Sequence, residues 1–266
     1  MPKPTKPQGQ PTRGKTALNR LRQVDNYICL AWGHHLIGQN PLIVDVGYGE
    51  YAWTALEMYN RLMRVNPNLH LLGLEIDPLR VKNALPHINP PVIDFQLGGF
   101  NISDILSDKK ATFIRAYNVL RQYDESDVAD ALQTMGNSLA EDGLLIEGTS
   151  TPTGRIVAFD VYQKKAGSLV HRQLVFGSNL RHADTPTEFQ AILPKRLIHH
   201  AYDESVWSFF RMWERGLSLA RGAGQYQHRR RWSYAVRYLH EQGYAIDIRK
   251  RIMGRGYLVL NNPLLP

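Results

Sequence analysis

The stretch from Pro41 to Tyr51 constrains the fold of this chain more than any other part of it. A short apolar run, Leu42-Ile43-Val44, leads into Asp45-Val46-Gly47-Tyr48-Gly49-Glu50, and the residues that follow have a helical pattern. The expected structure is a strand, a glycine turn and a helix. Two glycines let the backbone turn sharply and approach a ligand beside the electropositive start of the helix.

A second buried-strand pattern, Leu71-Leu72-Gly73-Leu74, ends in the acidic sequence Glu75-Ile76-Asp77-Pro78. An acidic residue that follows a glycine turn by roughly 20 residues typically binds ribose hydroxyls in nucleotide-binding βαβ units. A dinucleotide fingerprint would have a third glycine where this chain has Ala52. The two stretches together therefore predict a nucleoside-containing ligand that is not a dinucleotide.

The pattern D-x-G-x-G, followed by a strand that ends in E-x-D, resembles the first two motifs of class I S-adenosylmethionine-dependent methyltransferases. The resemblance covers residues 25–150 and, more loosely, the last part of the chain. It implies an α/β fold with a Rossmann-like methyltransferase sheet, mostly parallel with a terminal antiparallel strand and with helices on both faces. It also implies S-adenosylmethionine as cofactor and in-line methyl transfer to an acceptor that the sequence does not identify.

The same resemblance implies which residues contact the cofactor. They follow the first four predicted strands: Asp45, Gly47, Tyr48, Gly49, Glu75, Ile76, Asp77, Gly99, Phe100, Asn101, Arg115 and Tyr117. Phe100 and Asn101 are expected beside the adenine. Arg115, Tyr117 and Asn118 are expected to face the cofactor or the acceptor, because ligands bind beyond the carboxyl ends of the strands in open α/β sheets. Two alternatives stay open, since Arg115 could pair with an acidic core residue and Tyr117 could simply pack.

Catalytic residues are less constrained by the sequence. Methyl transfer from a sulfonium has a good leaving group, so the protein mainly supplies positioning and a dry pocket. An oxygen or nitrogen acceptor could still need a general base. The candidates are Tyr48, Glu50, Tyr117, Glu147 and His199. No metal site is expected, and the single cysteine, Cys29, leaves no intrachain disulfide.

The order of the predicted elements suggests three parts. Residues 1–15 have the composition of a disordered basic tail, and residues 16–150 and 228–262 are expected to form the Rossmann-like core. In its last part, residues 229–241 are expected to form a helix and residues 244–248 and 256–260 to form strands. The resemblance implies that the last strand runs antiparallel inside the sheet. Residues 151–227 read as an insertion, a β-hairpin at 155–176 plus aromatic helices, and are the candidate acceptor-binding cap. The alternative is that the hairpin completes the sheet and everything after it is a separate cap.

The net charge of +8 is unevenly distributed. Residues 1–24 and 186–266 carry +6 and +7, whereas the middle of the chain carries −5. This asymmetry permits a polyanionic partner, and Arg229-Arg230-Arg231-Trp232 combines phosphate-binding charge with a stacking ring. RNA or DNA is therefore one alternative acceptor. A catalytically inactive methyltransferase-like binding scaffold is another alternative, encouraged by Tyr51 and Ala52 at positions where relatives have smaller residues.

The cellular setting follows from what the sequence lacks. It contains no apolar run of eighteen residues and no apolar segment near the amino terminus, so neither a membrane span nor a secretion signal is expected. With one cysteine, a cytoplasmic protein is the simplest interpretation. The oligomeric state is not readable from the sequence.

Overall fold

The structure, a computed structural model, describes residues 6–182, 185–262 and 264. Its centre is one eight-stranded sheet, and the strands in chain order are β1 (Leu42–Val46), β2 (His70–Glu75), β3 (Ile93–Leu97), β4 (Ala111–Tyr117), β5 (Leu139–Ser150), β6 (Ile156–Lys165), β7 (Ser168–Ser178) and β8 (Tyr257–Leu260). Their spatial order is β3-β2-β1-β4-β5-β6-β7-β8. The first five strands are parallel, and β6, β7 and β8 each pair antiparallel with the preceding strand.

Helices connect the strands and cover the sheet. The α-helices are α1 (Arg22–Tyr27), α2 (Trp53–Leu62), α3 (Pro78–Ala84), α4 (Ser103–Leu106), α5 (Glu125–Gly136), α6 (Pro186–Gln190), α7 (Lys195–Ile198), α8 (Glu204–Gly222), α9 (His228–Glu241) and α10 (Lys250–Met253). A π-helical turn, Ile28–Trp32, and a 3-10 turn, Gly33–Leu36, continue α1. Two further 3-10 turns are Leu85–His87 and Leu120–Gln122. No helix of the described residues is long and apolar enough to cross a membrane.

The central strands are buried on both faces, which explains why they read as continuous apolar runs rather than alternating ones. On one face, Ile43 and Phe113 pack with α1 and α2. On the other face, Val44 and Ile114 pack with α4 and α5. Covering both faces in this way leaves the carboxyl ends of the parallel strands as the place where a ligand can reach polar backbone groups.

The predicted fold class is confirmed, and all five predicted β/α strands form. The hairpin predicted at 155–176 also forms, as β6 and β7, and it joins the main sheet, which the sequence left open. It follows β5 after a short connection, and a short connection favours an antiparallel neighbour. The sheet therefore continues through residues that the sequence suggested as an insertion.

The end of the chain differs from the expectation in two ways. Residues 244–248 were expected to form a strand, but the structure has only an isolated bridge there, between Ile246 and Leu260. The last strand, β8, was expected inside the sheet, but it pairs only with β7 at the edge. The position beside β5 is already taken by β6, so a strand from the end of the chain has no inner place to fill.

The aromatic stripe of α8 belongs to the core. Phe209, Phe210 and Trp213 pack against Phe176 of β7, in a buried cluster with residues of α6 and α9. Helices α6 to α9 therefore form a cap over the antiparallel part of the sheet. The boundaries of the predicted insertion and core stay a prediction, and residues 183–184 of the insertion lie outside the described residues.

Residues 8–14, which we call the N-terminal strap, run along the carboxyl edge of the sheet. Composition predicted a disordered tail for residues 1–15, of which 1–5 lie outside the described residues. In the structure, the amide of Phe100 donates to the carbonyl of Gln8 over 2.9 Å and the amide of Glu50 donates to the carbonyl of Gly14 over 2.9 Å. The strap is held by its backbone, so its polar composition did not reveal the contacts.

Candidate functional site

The glycine turn after β1 is tied directly to the end of β2. Gly47 and Gly49 have φ angles of 71° and 91°, a region that favours glycine. The amide of Gly47 donates to the carbonyl of Leu74 over 2.7 Å, and the amide of Gly49 donates to Glu75 Oε2 over 3.0 Å. A side chain at Gly47 would lie 2.7 Å from Val119. The sequence therefore needs both glycines for the backbone path that brings the turn to Glu75.

The Glu75 carboxylate lies at the centre of this turn and is almost fully buried. Its other oxygen accepts from the amide of Ile76 over 2.9 Å and lies 3.5 Å from Arg80 Nη1. Asp77 has a different role, since it caps α3 by accepting from the amide of Leu79 over 2.8 Å. Of the two acidic residues in the E-x-D motif, Glu75 borders the small cavity beside the turn.

Asp45 and Arg115 form a buried ion pair under the turn. Arg115 is fully buried and donates to both carboxylate oxygens of Asp45, over 2.8 and 2.9 Å, and to Asp25 over 2.5 Å. Burial alone would lower the pKa of Arg115, but the two carboxylates outweigh burial and raise it. Burial raises the pKa of Asp25 to about 6 despite Arg115 and Arg61. Arg115 therefore takes the structural alternative of pairing with acidic core residues rather than facing the ligand side.

The pocket expected for the nucleoside is filled by the strap. Gln8 accepts from the amide of Phe100 with its carbonyl and donates to Asn101 Oδ1 with its amide, over 2.8 Å. The backbone amide of Gln10 is also bonded to the Tyr123 hydroxyl. A cavity of about 20 Å³ remains between the strap and the residues of the pocket, which include Val46, Gly47, Glu75, Ile76, Gly99 and Phe100. Chain atoms of the protein thus satisfy the polar groups that the sequence assigned to adenine.

A larger cleft opens on the other side of the glycine turn. Its volume is about 790 Å³, and its lining includes Tyr48, Tyr117, Asn118, Thr149 and Ser150. The Tyr117 hydroxyl donates to the carbonyl of Thr149 over 3.0 Å, and the amide of Ser150 donates to Asn118 Oδ1 over 2.9 Å. These contacts hold the ends of β4 and β5 together, at the edge where open α/β sheets bind ligands.

Four cations line the same cleft: Arg13, Lys15, Arg20 and Arg121. Of the carboxylates in the described part of the chain, one lines the cleft: Asp45, whose two oxygens already accept from Arg115. Arg20 is half-buried, and its guanidinium donates to Ser150 Oγ over 3.0 Å and to the carbonyl of Lys15 over 2.7 Å. Among the described residues none of the four cations forms an ion pair. The cleft is therefore positively charged.

The five candidate bases are not brought together. Tyr48 and Tyr117 line the cleft, Glu50 is exposed at the turn, and Glu147 and His199 do not line the cleft. Burial is the main cause that raises the pKa of both tyrosines above the ordinary value. Both phenols are therefore neutral near pH 7 and can donate hydrogen bonds rather than accept a proton.

Glu147 belongs to a second buried charge cluster on β5 and β6. It lies opposite Asp160 in the register, and Asp160 accepts from Arg196 over 2.7 Å and lies 2.7 Å from His171 Nε2. Burial, and then the charge of Asp160, raise the pKa of Glu147 to about 8. His199 Nε2 lies 3.0 Å from Lys195 Nζ. Neither Glu147 nor His199 lines the cleft, so a role of either as a base stays a prediction.

Sequence reasoning therefore located the glycine turn, Glu75 and the residues after β3, and it missed Arg20 and Arg121. Arg20 lies just before α1, within a stretch whose basic residues were interpreted as a tail and a helix start. The available signal was the cluster of basic residues before α1 without any acid. That signal shows charge but does not show that the segment returns to the sheet edge.

Comparisons with known proteins give a fold likeness. No protein-family model and no curated protein sequence matches this chain. Among solved structures, human N-acetylserotonin methyltransferase in complex with S-adenosylmethionine is 20% identical, with 49% of this chain and 34% of that chain covered and a TM-score of 0.36.

Two other solved structures show the same level of likeness. A methyltransferase from Thiobacillus denitrificans in complex with S-adenosyl-L-homocysteine is 15% identical, with coverages of 52% and 50% and a TM-score of 0.35. A cyclopropane synthase from Mycobacterium tuberculosis is 17% identical, with coverages of 47% and 41% and a TM-score of 0.34. The chain spans half or less of the length of these structures, so functional arguments rest on its own site.

Proposed function

We propose that the protein is an S-adenosylmethionine-dependent methyltransferase. The observation that carries this proposal is the 3.0 Å hydrogen bond from the amide of Gly49 to Glu75 Oε2. It joins the glycine turn after β1 to the carboxylate at the end of β2, beside the point where the strand order reverses between β1 and β4. Ligands of open α/β sheets bind at this switch point.

The polar groups of the small pocket fit an adenosine. The amide of Phe100 is a donor and Asn101 Oδ1 is an acceptor, and Gln8 satisfies them with one acceptor and one donor. The edge of adenine offers the same pair, a ring nitrogen that accepts and an amino group that donates. Glu75 is the acidic residue placed for ribose hydroxyls. The cofactor fits once residues of the strap leave the pocket.

The chain's own residues would then position the reactants. When bound, S-adenosylmethionine supplies a methyl group on a sulfonium, which is a good leaving group. The acceptor would occupy the 790 Å³ cleft, where the Asn118 and Ser150 side chains can orient it. Such positioning lowers the activation barrier of methyl transfer, because the bound reactants are already close together and correctly oriented.

Calorimetric titration with S-adenosylhomocysteine, the demethylated product, tests the proposal. We expect one binding site on the wild-type protein, and binding about tenfold weaker or worse in Glu75→Gln because a charge-assisted hydrogen bond is lost. Glu241→Gln, an equal change at an exposed position of α9, should bind like the wild type. Absence of binding at millimolar ligand, both in the wild type and in a variant that lacks residues 2–12, would overturn the proposal and favour a scaffold without methyltransferase chemistry.

A nucleic acid is a second candidate for the acceptor. A groove of about 480 Å³ at α9 and α10 is lined by Arg229, Arg230, Arg237 and Lys250 together with Tyr234. Among the described residues these four cations form no ion pair. Trp232 was expected to supply a stacking ring, but it is 3% exposed and packs on Phe189 and Trp213. The half-buried Tyr234 is the aromatic residue that lines the groove.

Salt-dependent retention on immobilised single-stranded RNA tests this second candidate. Contacts between cations and phosphates release counterions, so retention should fall steeply as salt rises. The double variant Arg229→Gln/Arg230→Gln should elute at lower salt than the wild type. Arg172→Gln/Arg181→Gln, which removes two charges from residues at or just after β7, should not shift the elution. Equal elution of both double variants would contradict a role of the groove.

A further inference from the structure

The charge of the cleft constrains the acceptor, and this step rests on the proposed function. Arg13, Lys15, Arg20 and Arg121 line a cleft in which Asp45 is the only carboxylate among the described lining residues, and Asp45 is paired with Arg115. A bound S-adenosylmethionine would bring one carboxylate, but also an ammonium and a sulfonium, so it would add net positive charge. One carboxylate cannot balance four cations. Arg13, Lys15 and Arg121 are exposed and solvated, whereas Arg20 is half-buried. The field of a cleft lined by one sign of charge favours an anionic acceptor over a neutral or cationic one.

Arg20 is the best-placed of these cations. Its guanidinium is held by Ser150 Oγ at 3.0 Å and by the carbonyl of Lys15 at 2.7 Å. Neutral partners orient the group but leave its charge without a counterion. Burial lowers the pKa of Arg20, although the normal value is so high that the guanidinium stays protonated. A fixed, half-buried guanidinium with free donors is suited to a planar or tetrahedral oxyanion.

We propose that the methyl acceptor carries an oxyanion, such as a phosphate or a carboxylate, and that Arg20 binds it in the cleft. Arg121 lies at the rim, where its guanidinium donates to the carbonyl of Ala191 over 3.0 Å. Arg121 is exposed, and its charge adds to the positive electrostatic potential of the cleft. The cleft adjoins the nucleoside pocket, with which it shares Thr12 and Gly47, but Arg20 does not line that pocket. We therefore expect acceptor and cofactor to bind together.

Calorimetry with inorganic pyrophosphate, added to protein saturated with S-adenosylhomocysteine, tests this inference. Binding should be about tenfold weaker in Arg20→Gln, because charge-assisted hydrogen bonds are lost. Arg121→Gln, an exposed change that spares the fold, should weaken binding by a smaller factor. Arg172→Gln on β7 is the charge-matched control, and Arg230→Gln tests the groove at α9. Both should bind like the wild type.

Several results would overturn the inference. They are wild-type affinity for pyrophosphate in Arg20→Gln, a loss of binding confined to Arg230→Gln, and displacement of S-adenosylhomocysteine by pyrophosphate. The last result would mean that Arg20 holds the carboxylate of the cofactor. Lack of S-adenosylhomocysteine binding, both by the wild type and by a variant without residues 2–12, would instead remove the proposed function, and the acceptor role with it.

A different observation carries a second inference, about the strap. Gln8 presents a carbonyl to the amide of Phe100 and an amide to Asn101 Oδ1, the same acceptor and donor pair as the edge of adenine. The carbonyl of Thr12 accepts from Arg80 over 2.7 Å and Gly14 lies against Gly49. We infer that the strap is an autoinhibitory segment that occupies the adenosine pocket and competes with the cofactor.

Deletion of residues 2–12 tests the second inference. Titration of the deletion variant with S-adenosylhomocysteine should show binding at least tenfold tighter than in the full chain, since the hydrogen bonds of Gln8, Gln10 and Thr12 no longer have to be broken. Deletion of residues 2–5 is the control and should leave the affinity unchanged. Equal or weaker binding after the longer deletion would overturn the inference, whereas absence of binding in both forms would refute the proposed function.

Discussion

At the scale of single residues, Arg115 shows how one side chain fixes the base of the site. Its guanidinium joins Asp45 of β1 to Asp25 of α1 and also donates to the carbonyl of Thr54 over 2.9 Å. Removing one partner from a buried ion pair leaves the other charges uncompensated, which typically costs about 3–5 kcal/mol. The buried network therefore couples the amino-terminal helix to the strand that carries the glycine turn.

We accordingly expect Arg115→Met to lower the free energy of unfolding by about 3–5 kcal/mol. Urea denaturation followed by circular dichroism measures the change. Arg64→Met makes the same replacement at an exposed position and should shift the free energy by less than about 0.5 kcal/mol. Equal stability of the two variants would contradict the account of Arg115.

Glu147 leads to a prediction about pH. Burial raises its pKa in the folded protein to about 8, above an ordinary value of 4.5. The folded state therefore holds a proton that the unfolded chain releases, and the stabilisation is complete below about pH 4.5 and is lost as pH rises through about 8. Asp25, whose pKa is raised to about 6, contributes in the same direction at lower pH.

Glu147→Gln, which keeps the shape and cannot ionise, should remove this dependence. Its melting temperature should match that of the wild type near pH 4.5 and exceed it near pH 8.5, with a difference in free energy of about 4 kcal/mol. Differential scanning calorimetry across this range measures both curves. Parallel curves for the two proteins would show that Glu147 keeps its ordinary pKa.

At the scale of elements, the glycines of the site serve two purposes. Gly47 and Gly49 allow the positive φ angles of the turn, whereas Gly99 allows a close approach. A Cβ atom at Gly99 would lie 1.9 Å from the carbonyl oxygen of Gln8, which is much closer than two non-bonded heavy atoms can approach. The absence of a side chain there is what lets the strap reach the pocket.

Gly99→Ala should therefore displace the strap and spare the sheet. Trypsin cleavage after Arg13 should become faster, because a strap that has detached from the sheet edge is more accessible to the active site of the protease. Gly222→Ala at the end of α8, where an added side chain meets nothing within 4 Å, is the control and should be cleaved at the wild-type rate. Unchanged cleavage in Gly99→Ala would argue against the strap contact.

The same elements show what the sequence could predict. The five parallel strands were predicted because strands buried on both faces have continuous apolar runs, and the turn was predicted because its glycines and Glu75 have a typical spacing. The strap was not predicted, because Gln8 and Gly14 bind through backbone atoms that leave no signature in residue type. Pairing of β6 with β5 was left open, because strand neighbours depend on long-range contacts.

At the scale of the whole molecule, charge is arranged in two separate positive regions. One is the cleft around Arg20, and the other is the groove around Arg230. Some carboxylates from the acidic middle of the chain are neutralised in buried pairs, such as Asp45 with Arg115 and Asp160 with Arg196. The cations of the cleft and of the groove instead favour anionic ligands at both regions.

The central claim is that the pocket formed by Glu75, Phe100 and Asn101 binds adenosine in place of the strap. A crystal structure of the protein grown with S-adenosylhomocysteine tests it most directly. We expect adenine to form hydrogen bonds with the amide of Phe100 and with Asn101, the ribose hydroxyls to donate to Glu75, and Gln8 to be displaced. Ligand bound elsewhere, or Gln8 still in the pocket at millimolar ligand, would contradict the claim.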